Sequence, residues 1–185
     1  NEIYFKSLQR NSKKGFKILE LCSGEGQCSK PILKHYEDIT FTDISKNALD
    51  LIKIKYGPFL RETIKFKECN IEFLPFDDEI FDIVACAGGL SYGNNNLVLK
   101  EIHRVLKTNG KFICIDSLNE NPIYKLNRYV HYLRGNRTKS TLKRMPDRKL
   151  LEDYERIFGI IKINYSGTLI WILYPLSKII GYKKS

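Results

Sequence analysis

The sequence predicts an α/β protein built on a mostly parallel sheet with helices on both faces. Three observations predict it. Short apolar runs alternate with amphipathic helical patterns over most of the chain. The first run, 17–22 (KILELC), has the pattern of a short buried strand, as expected in a parallel sheet covered on both faces. The turn after the first run is rich in glycine, and an acidic residue ends the second run.

The elements follow in order. Residues 17–22 (KILELC) form the first strand, and Gly24 and Gly26 lead into a helix over 27–35. Residues 39–42 form the second strand, and Ser45 caps a helix running to Tyr56. Residues 63–68 form the third strand and 81–87 (FDIVACA) the fourth. Leu97, Val98, Ile102, Val105 and Leu106 give residues 95–106 a helical stripe, and Asn109-Gly110 is expected to end that helix. Residues 111–115 form the fifth strand. Residues 118–145 are polar, basic and tyrosine-rich, and are expected to be a helical insertion or lid. A helix over 147–158 and a strand over 160–165 follow; residues 168–180 are apolar and include Trp171 and Pro175.

Length and composition narrow the function. The 185 residues suit a single domain, read as a core over 15–117, a basic segment over 118–146 and a C-terminal part over 147–185. No run of about 18 apolar residues marks a membrane span, although residues 168–180 could touch a membrane surface or lipid carrier. The five cysteines form no CxxC pair and no His completes a ligand set, so no metal site is expected and a reducing, cytoplasmic setting is. The formal charge of +10 points to acidic partners. From 117 to 149 nine basic residues face only Glu120 and Asp147, so the excess is concentrated there. The chain opens on Asn1 rather than Met, from which residues upstream are expected.

Chemistry is expected in the loops after the strands, at the point where strand order reverses. The first strand runs into Glu20-Leu21-Cys22-Ser23-Gly24-Glu25-Gly26. Such a turn lets a ligand approach the backbone. Asp43 lies 19 positions beyond Gly24, where a carboxylate accepts ribose hydroxyls. A dinucleotide site would carry a third glycine, but Ser29 stands there, and Glu25 would face a pyrophosphate.

These motifs, with Asn70-Ile71-Glu72-Phe73-Leu74-Pro75-Phe76 before the fourth strand and Glu101-Ile102-His103-Arg104-Val105-Leu106-Lys107 before the fifth, resemble the class I S-adenosylmethionine-dependent methyltransferases, which include quinone-biosynthesis enzymes. The resemblance covers about residues 15–117. It implies a Rossmann-like sheet and S-adenosylmethionine as cofactor. Glu20 would meet the methionine amino group, directly or through water. Cys22, Ser23, Gly24 and Gly26 would line methionine and ribose. Asp43 would hold the ribose hydroxyls and Ile44 would flank the adenine. Asn70 and Ile71 would meet the adenine edge, and Ala87 and Gly88 would border the methyl group. Two departures stand out. Cys22 replaces the first glycine of the family's loop and fits if its φ stays negative. Asn70 stands where the family often has Asp, but keeps both a donor and an acceptor. The family also closes its sheet with an antiparallel final pair, and the last strand is expected to lie beyond this sequence.

The acceptor is legible only in outline. The basic segment resembles methyltransferases of bacterial surface-polysaccharide gene clusters, which implies sugar O-methylation. Arg128, Arg137 and Arg144 are expected to bind phosphate on the acceptor, because guanidinium forks match phosphate oxygens. A catalytic base is expected at His131, with its intrinsic pKa, at Asp116, or in the loop 88–93, where Tyr92 is a candidate contact. An RNA acceptor is the rival reading of a basic, tyrosine-bearing segment, and a non-catalytic S-adenosylmethionine-binding protein is a further one.

Overall fold

The strands form at the short apolar-rich segments of the sequence. In the computed structural model, which describes residues 2–120, 122–159 and 162–165, these are β1 (Lys17–Leu21), β2 (Asp38–Asp43), β3 (Ile64–Glu68), β4 (Phe81–Ala87) and β5 (Leu106–Ile115). All four pairings are parallel and the order is β3-β2-β1-β4-β5. The order therefore reverses between β1 and β4, and the crevice at their carboxyl ends is the natural ligand position.

Neighbouring residues on each strand point to opposite faces, which separates two apolar layers. Ile18, Ile39, Phe41, Ile83 and Ala85 pack under α1 (Glu2–Asn11), α2 (Ser29–His35) and α3 (Lys46–Tyr56). Leu19, Leu21, Val84 and Cys86 pack under α4 (Asn95–Val105) and α7 (Arg148–Phe158). The α3, α4 and α7 helix starts carry side-chain caps. Ser45 accepts from Ala48 N at 3.3 Å, Asn94 from Asn96 N at 3.1 Å, and Asp147 from Leu150 N at 3.0 Å. Each cap satisfies an orphan amide of the first turn.

Several elements depart from the sequence reading. The α1 helix was not expected; Tyr4 and Leu8, one turn apart, are both buried against the sheet. The α4 helix ends at Val105 rather than at Asn109-Gly110, because Leu106 already pairs with Phe81. Asn109 does take a left-handed φ of 65°, but inside a register shift of β4 with β5. There Lys107 bridges to Asp82 at 2.9 Å and Thr108 donates to Glu79 at 2.7 Å. Residues 162–165, expected as the end of a strand, are irregular and exposed. Residues 168–180, Trp171 and any last strand lie outside the described residues.

The basic segment is helical, as expected, in α5 (Pro122–Leu133) and α6 (Lys139–Lys143). The α6 helix packs against α5 and against the single turn Leu90–Tyr92 that follows β4. Among the described residues no helix is long and apolar enough to cross a membrane, and no group of His, Cys, Asp or Glu is placed to hold a metal ion.

Candidate active site at the strand-order switch

The turn after β1 is held from below by Glu20. This carboxyl is 1% exposed and takes a hydrogen bond from the Ser29 hydroxyl at 2.9 Å. Burial pushes it up to about 8, with Ser29 only partly opposing. A buried acid with so few partners is a ready site for a cation. The Glu20 carbonyl accepts from Ser23 Oγ at 3.2 Å and Thr42 Oγ1 at 3.0 Å, tying β1 to β2.

Asp43 closes the next side. Its Oδ2 accepts from Gly24 N at 2.8 Å and its Oδ1 from Ser45 N at 2.9 Å. A carboxylate offers roughly four acceptor sites, so each oxygen retains one. Asp43 is half-buried and Ile44 beside it is 72% exposed. Gly26 has a φ of 76°; a Cβ there would lie 2.8 Å from Tyr56, whose hydroxyl donates to the Gly26 carbonyl at 2.8 Å. Gly26 thus brings the turn down onto α3.

Cys22 departs from expectation. Its φ is +51°, not negative, which costs about 1–2 kcal/mol for a residue with a Cβ. Across the crevice, a Cβ on Gly89 would lie 2.4 Å from Cys22 Cβ and 2.7 Å from its sulfur. The thiol also points to the Gly89 carbonyl, at 3.8 Å. The left-handed turn at Cys22 therefore fits only because Gly89 has no side chain. The neighbouring Cys86 thiol, and then burial, push the Cys22 thiol far up, which suits a packing group rather than a nucleophile.

The remaining predicted residues separate into two groups. Cys69 N donates to Asp43 O at 3.0 Å, which sets Asn70 beside Asp43. Asn70 Oδ1 accepts from Glu72 N at 2.9 Å, leaving its amide NH2 exposed. Ile71, by contrast, is buried in the second apolar layer, close to where a Cβ on Gly93 would stand. Gly88 has a φ of 76°, open space where a Cβ would be, and an amide bonded to Ile115 O at 2.8 Å. Ala87 beside it is half-buried.

Several of the residues expected on the acceptor side lie near the end of β5. Asp116 accepts from Ser117 N at 2.6 Å and Leu90 N at 3.3 Å. Burial raises its pKa, and Arg128 and Arg137 pull the other way. Arg128 is 6% exposed and donates to Asn119 Oδ1 at 3.0 Å. Burial, then repulsion from Arg137, lowers its pKa. Arg137 reaches the Met145 sulfur, at 3.9 Å. His131 is half-buried, one turn from Arg128 on the same side of α5. Arg144 stands apart from this cluster. It donates to Tyr92 O at 3.2 Å and lies 3.9 Å from Glu72, so it fastens α6 to the loop after β4. The Tyr92 side chain is 68% exposed.

Three contributors escaped sequence reading. Ser29 is known only from its bond to Glu20. Gly89 had a visible signal in the Gly88-Gly89 pair. Arg104 ties the Leu74 and Phe76 carbonyls to Glu101 and Asp78 with bonds of 2.7–2.9 Å, which fixes the loop that carries Asn70.

Comparisons with known proteins bear on the family and the fold. Residues 18–110 match the family described as methyltransferase domain. The demethylmenaquinone methyltransferase of Lactococcus lactis is 30% identical over 171 residues, covering 82% of this chain and 68% of that protein. The ubiquinone/menaquinone biosynthesis C-methyltransferase of Rickettsia prowazekii is 36% identical over 107 residues, 54% of this chain and 43% of that protein. Of two further curated relatives the chain spans 52% and 48% of the length. The fold is also that of a geranyl diphosphate C-methyltransferase from Streptomyces coelicolor, solved with S-adenosylhomocysteine, at a TM-score of 0.66 and 12% identity over 84% of this chain and 59% of that one. The Asp43-gated glycine turn at the sheet's switch point and the match over half its length make this chain a member of the class I S-adenosylmethionine-dependent methyltransferase family.

Proposed function

We propose that this chain transfers a methyl group from S-adenosylmethionine to a small-molecule acceptor held between the ends of β4 and β5 and the basic α5–α6 segment, which acts as a lid. The observation that carries the reading is Asp43, whose two oxygens are each half-used by backbone amides and each keep one acceptor site for a ribose hydroxyl. The rest of the cradle fits the same cofactor. Glu20 suits an ammonium, and Ser23, Gly24 and Gly26 present backbone to the methionine and ribose. Ile44 offers an apolar surface to the adenine, with Asn70 and only the backbone of Ile71 at its edge; Cys22, Ala87 and Gly88 border the methyl group. The bound sulfonium supplies an electrophilic methyl. The protein's task is to align acceptor and methyl in one line and exclude water.

The acceptor we favour bears phosphate, as in sugar O-methylation for surface polysaccharides. Arg137 and the buried Arg128 bind the phosphate, and Arg144 and Tyr92 form the far wall. His131 accepts the proton from the acceptor hydroxyl; its place one turn from Arg128 supports that role. A second reading is methylation of a quinol ring carbon, favoured by the names of the relatives that are 30% and 36% identical. The cysteines, which are all free thiols, support a reducing, cytoplasmic setting.

The test is incubation with methyl-labelled S-adenosylmethionine and, separately, nucleotide sugars, lipid-linked glycans, demethylmenaquinol and bulk tRNA. Label on a phosphate-bearing glycan, lost in Arg137→Ala, is expected. Label on the quinol with Arg137→Ala unaffected would transfer the assignment to the second reading. Label on tRNA would overturn both.

A further inference from the structure

The α5 helix is turned the opposite way from an ordinary surface helix. Its inner side carries Tyr124, Arg128, His131 and Tyr132, all buried or half-buried. Its outer side carries Leu126, Tyr129 and Leu133, at i, i+3 and i+7, which are 64%, 53% and 65% exposed. An amphipathic helix of a globular protein buries its apolar stripe and shows water its charge. Here an arginine is buried and the leucines are in water, so the stripe is built to be covered by something else.

Charge identifies the cover. Lys125 within the helix, Arg134 at its end, and Lys139 and Lys143 on α6 are exposed, and between 121 and 146 the sequence has no acidic residue. An apolar stripe rimmed only by cations suits the headgroup region of an anionic bilayer, where leucines and tyrosines enter the acyl boundary and lysines and arginines meet phosphates. We propose that the outer face of α5 docks this protein on an anionic lipid surface. The inner face of the same helix, with Arg128 and His131, then stands over the crevice. Docking brings the site to the surface that delivers a lipid-borne acceptor, whether quinol or lipid-linked glycan. The docking does not depend on which acceptor is methylated.

The experiment is co-sedimentation of the purified chain with vesicles of equal parts phosphatidylglycerol and phosphatidylcholine, and with phosphatidylcholine alone, at rising salt. Binding to the anionic vesicles, weakened by salt, is expected. The double variant Leu126→Ser/Leu133→Ser is expected to partition about tenfold less, with its thermal midpoint and its binding of S-adenosylhomocysteine unchanged. No binding by the parent chain would overturn the proposal. Equal partition by the double variant would overturn it too, leaving only charge adsorption. A parent dimer that the same substitutions dissolve would assign the stripe to a second copy. Bulk tRNA binding tighter than vesicle binding and indifferent to the leucines would assign the segment to RNA. Titration with S-adenosylhomocysteine on the same samples separates failure of docking from failure of the methyltransferase reading.

Discussion

Glu20→Gln changes one charge at the base of the site and almost nothing of its shape. The Glu20 carboxyl is 1% exposed, and burial pushes it up to about 8 from an ordinary value of 4.5. In the unfolded chain it loses its proton near the ordinary value. Between those two pH values the folded protein holds a proton that the unfolded chain has released. The stability from this group is therefore full below about pH 4.5 and is lost as pH rises to about 8. The slope is about 1.4 kcal/mol per pH unit, and the whole window is worth at most on the order of 5 kcal/mol. A glutamine accepts the Ser29 hydroxyl equally well and cannot ionise. The assay is urea unfolding of both proteins, without cofactor, from pH 5 to pH 9. Their difference isolates Glu20 from every other titrating group. The variant should exceed the parent by no more than about 1 kcal/mol at pH 5 and by several kcal/mol at pH 8. Binding should reverse the ranking if, as proposed, the Glu20 carboxylate meets the cofactor's ammonium. The parent should release about one proton on taking up S-adenosylhomocysteine at pH 7, seen by calorimetry in buffers of different ionisation heat. The variant should release none and bind at least about tenfold more weakly. Parallel stability curves, or equal affinity with equal proton release, would refute the reasoning.

Other consequences are as specific. Gly89→Ala places a Cβ 2.4 Å from that of Cys22 and should cost about 2–3 kcal/mol in denaturant unfolding. Cys22→Gly, which removes both the clash and the left-handed strain, should restore most of that in the double variant, whereas additive effects would sink the pairing. Arg104→Met removes the anchor of the Leu74 and Phe76 carbonyls and should cost about 1–3 kcal/mol, most of it from the abandoned carbonyls rather than from half-exposed ion pairs; an unchanged urea midpoint would argue against this. Asp43→Ala should leave the fold intact by circular dichroism but lower S-adenosylhomocysteine affinity by about tenfold or more, since the Gly24 and Ser45 amides lose their partner together with the ribose.

Legibility in the sequence followed how local each cause was. Continuous apolar runs marked β4 to the residue, and a hydroxyl before a helical stripe marked the Ser45 cap, because both signals are complete within a few residues. The positions of Glu20, Asp43 and the glycine turn were legible for the same reason. What depended on distant partners was not. Cys22 can adopt a positive φ only because Gly89, 67 residues away, leaves room. The α4 helix stops early because Leu106 pairs with Phe81 across the sheet, which outweighs the Asn-Gly stop signal. Ile71 was expected beside adenine, yet its side chain packs inward. The α1 helix shows only two core contacts one turn apart, too faint a period to read. Arg128 was read only as one of three phosphate-binding arginines, and its burial, with Leu126 and Leu133 exposed, shows only once α5 is docked.

The most direct test of the central claim is calorimetric titration of the purified chain with S-adenosylhomocysteine, with NAD as control and Asp43→Ala alongside. The account predicts affinity on the order of micromolar for S-adenosylhomocysteine, none for NAD, and marked loss in the variant. Binding of NAD, or binding of S-adenosylhomocysteine that ignores Asp43, would contradict it.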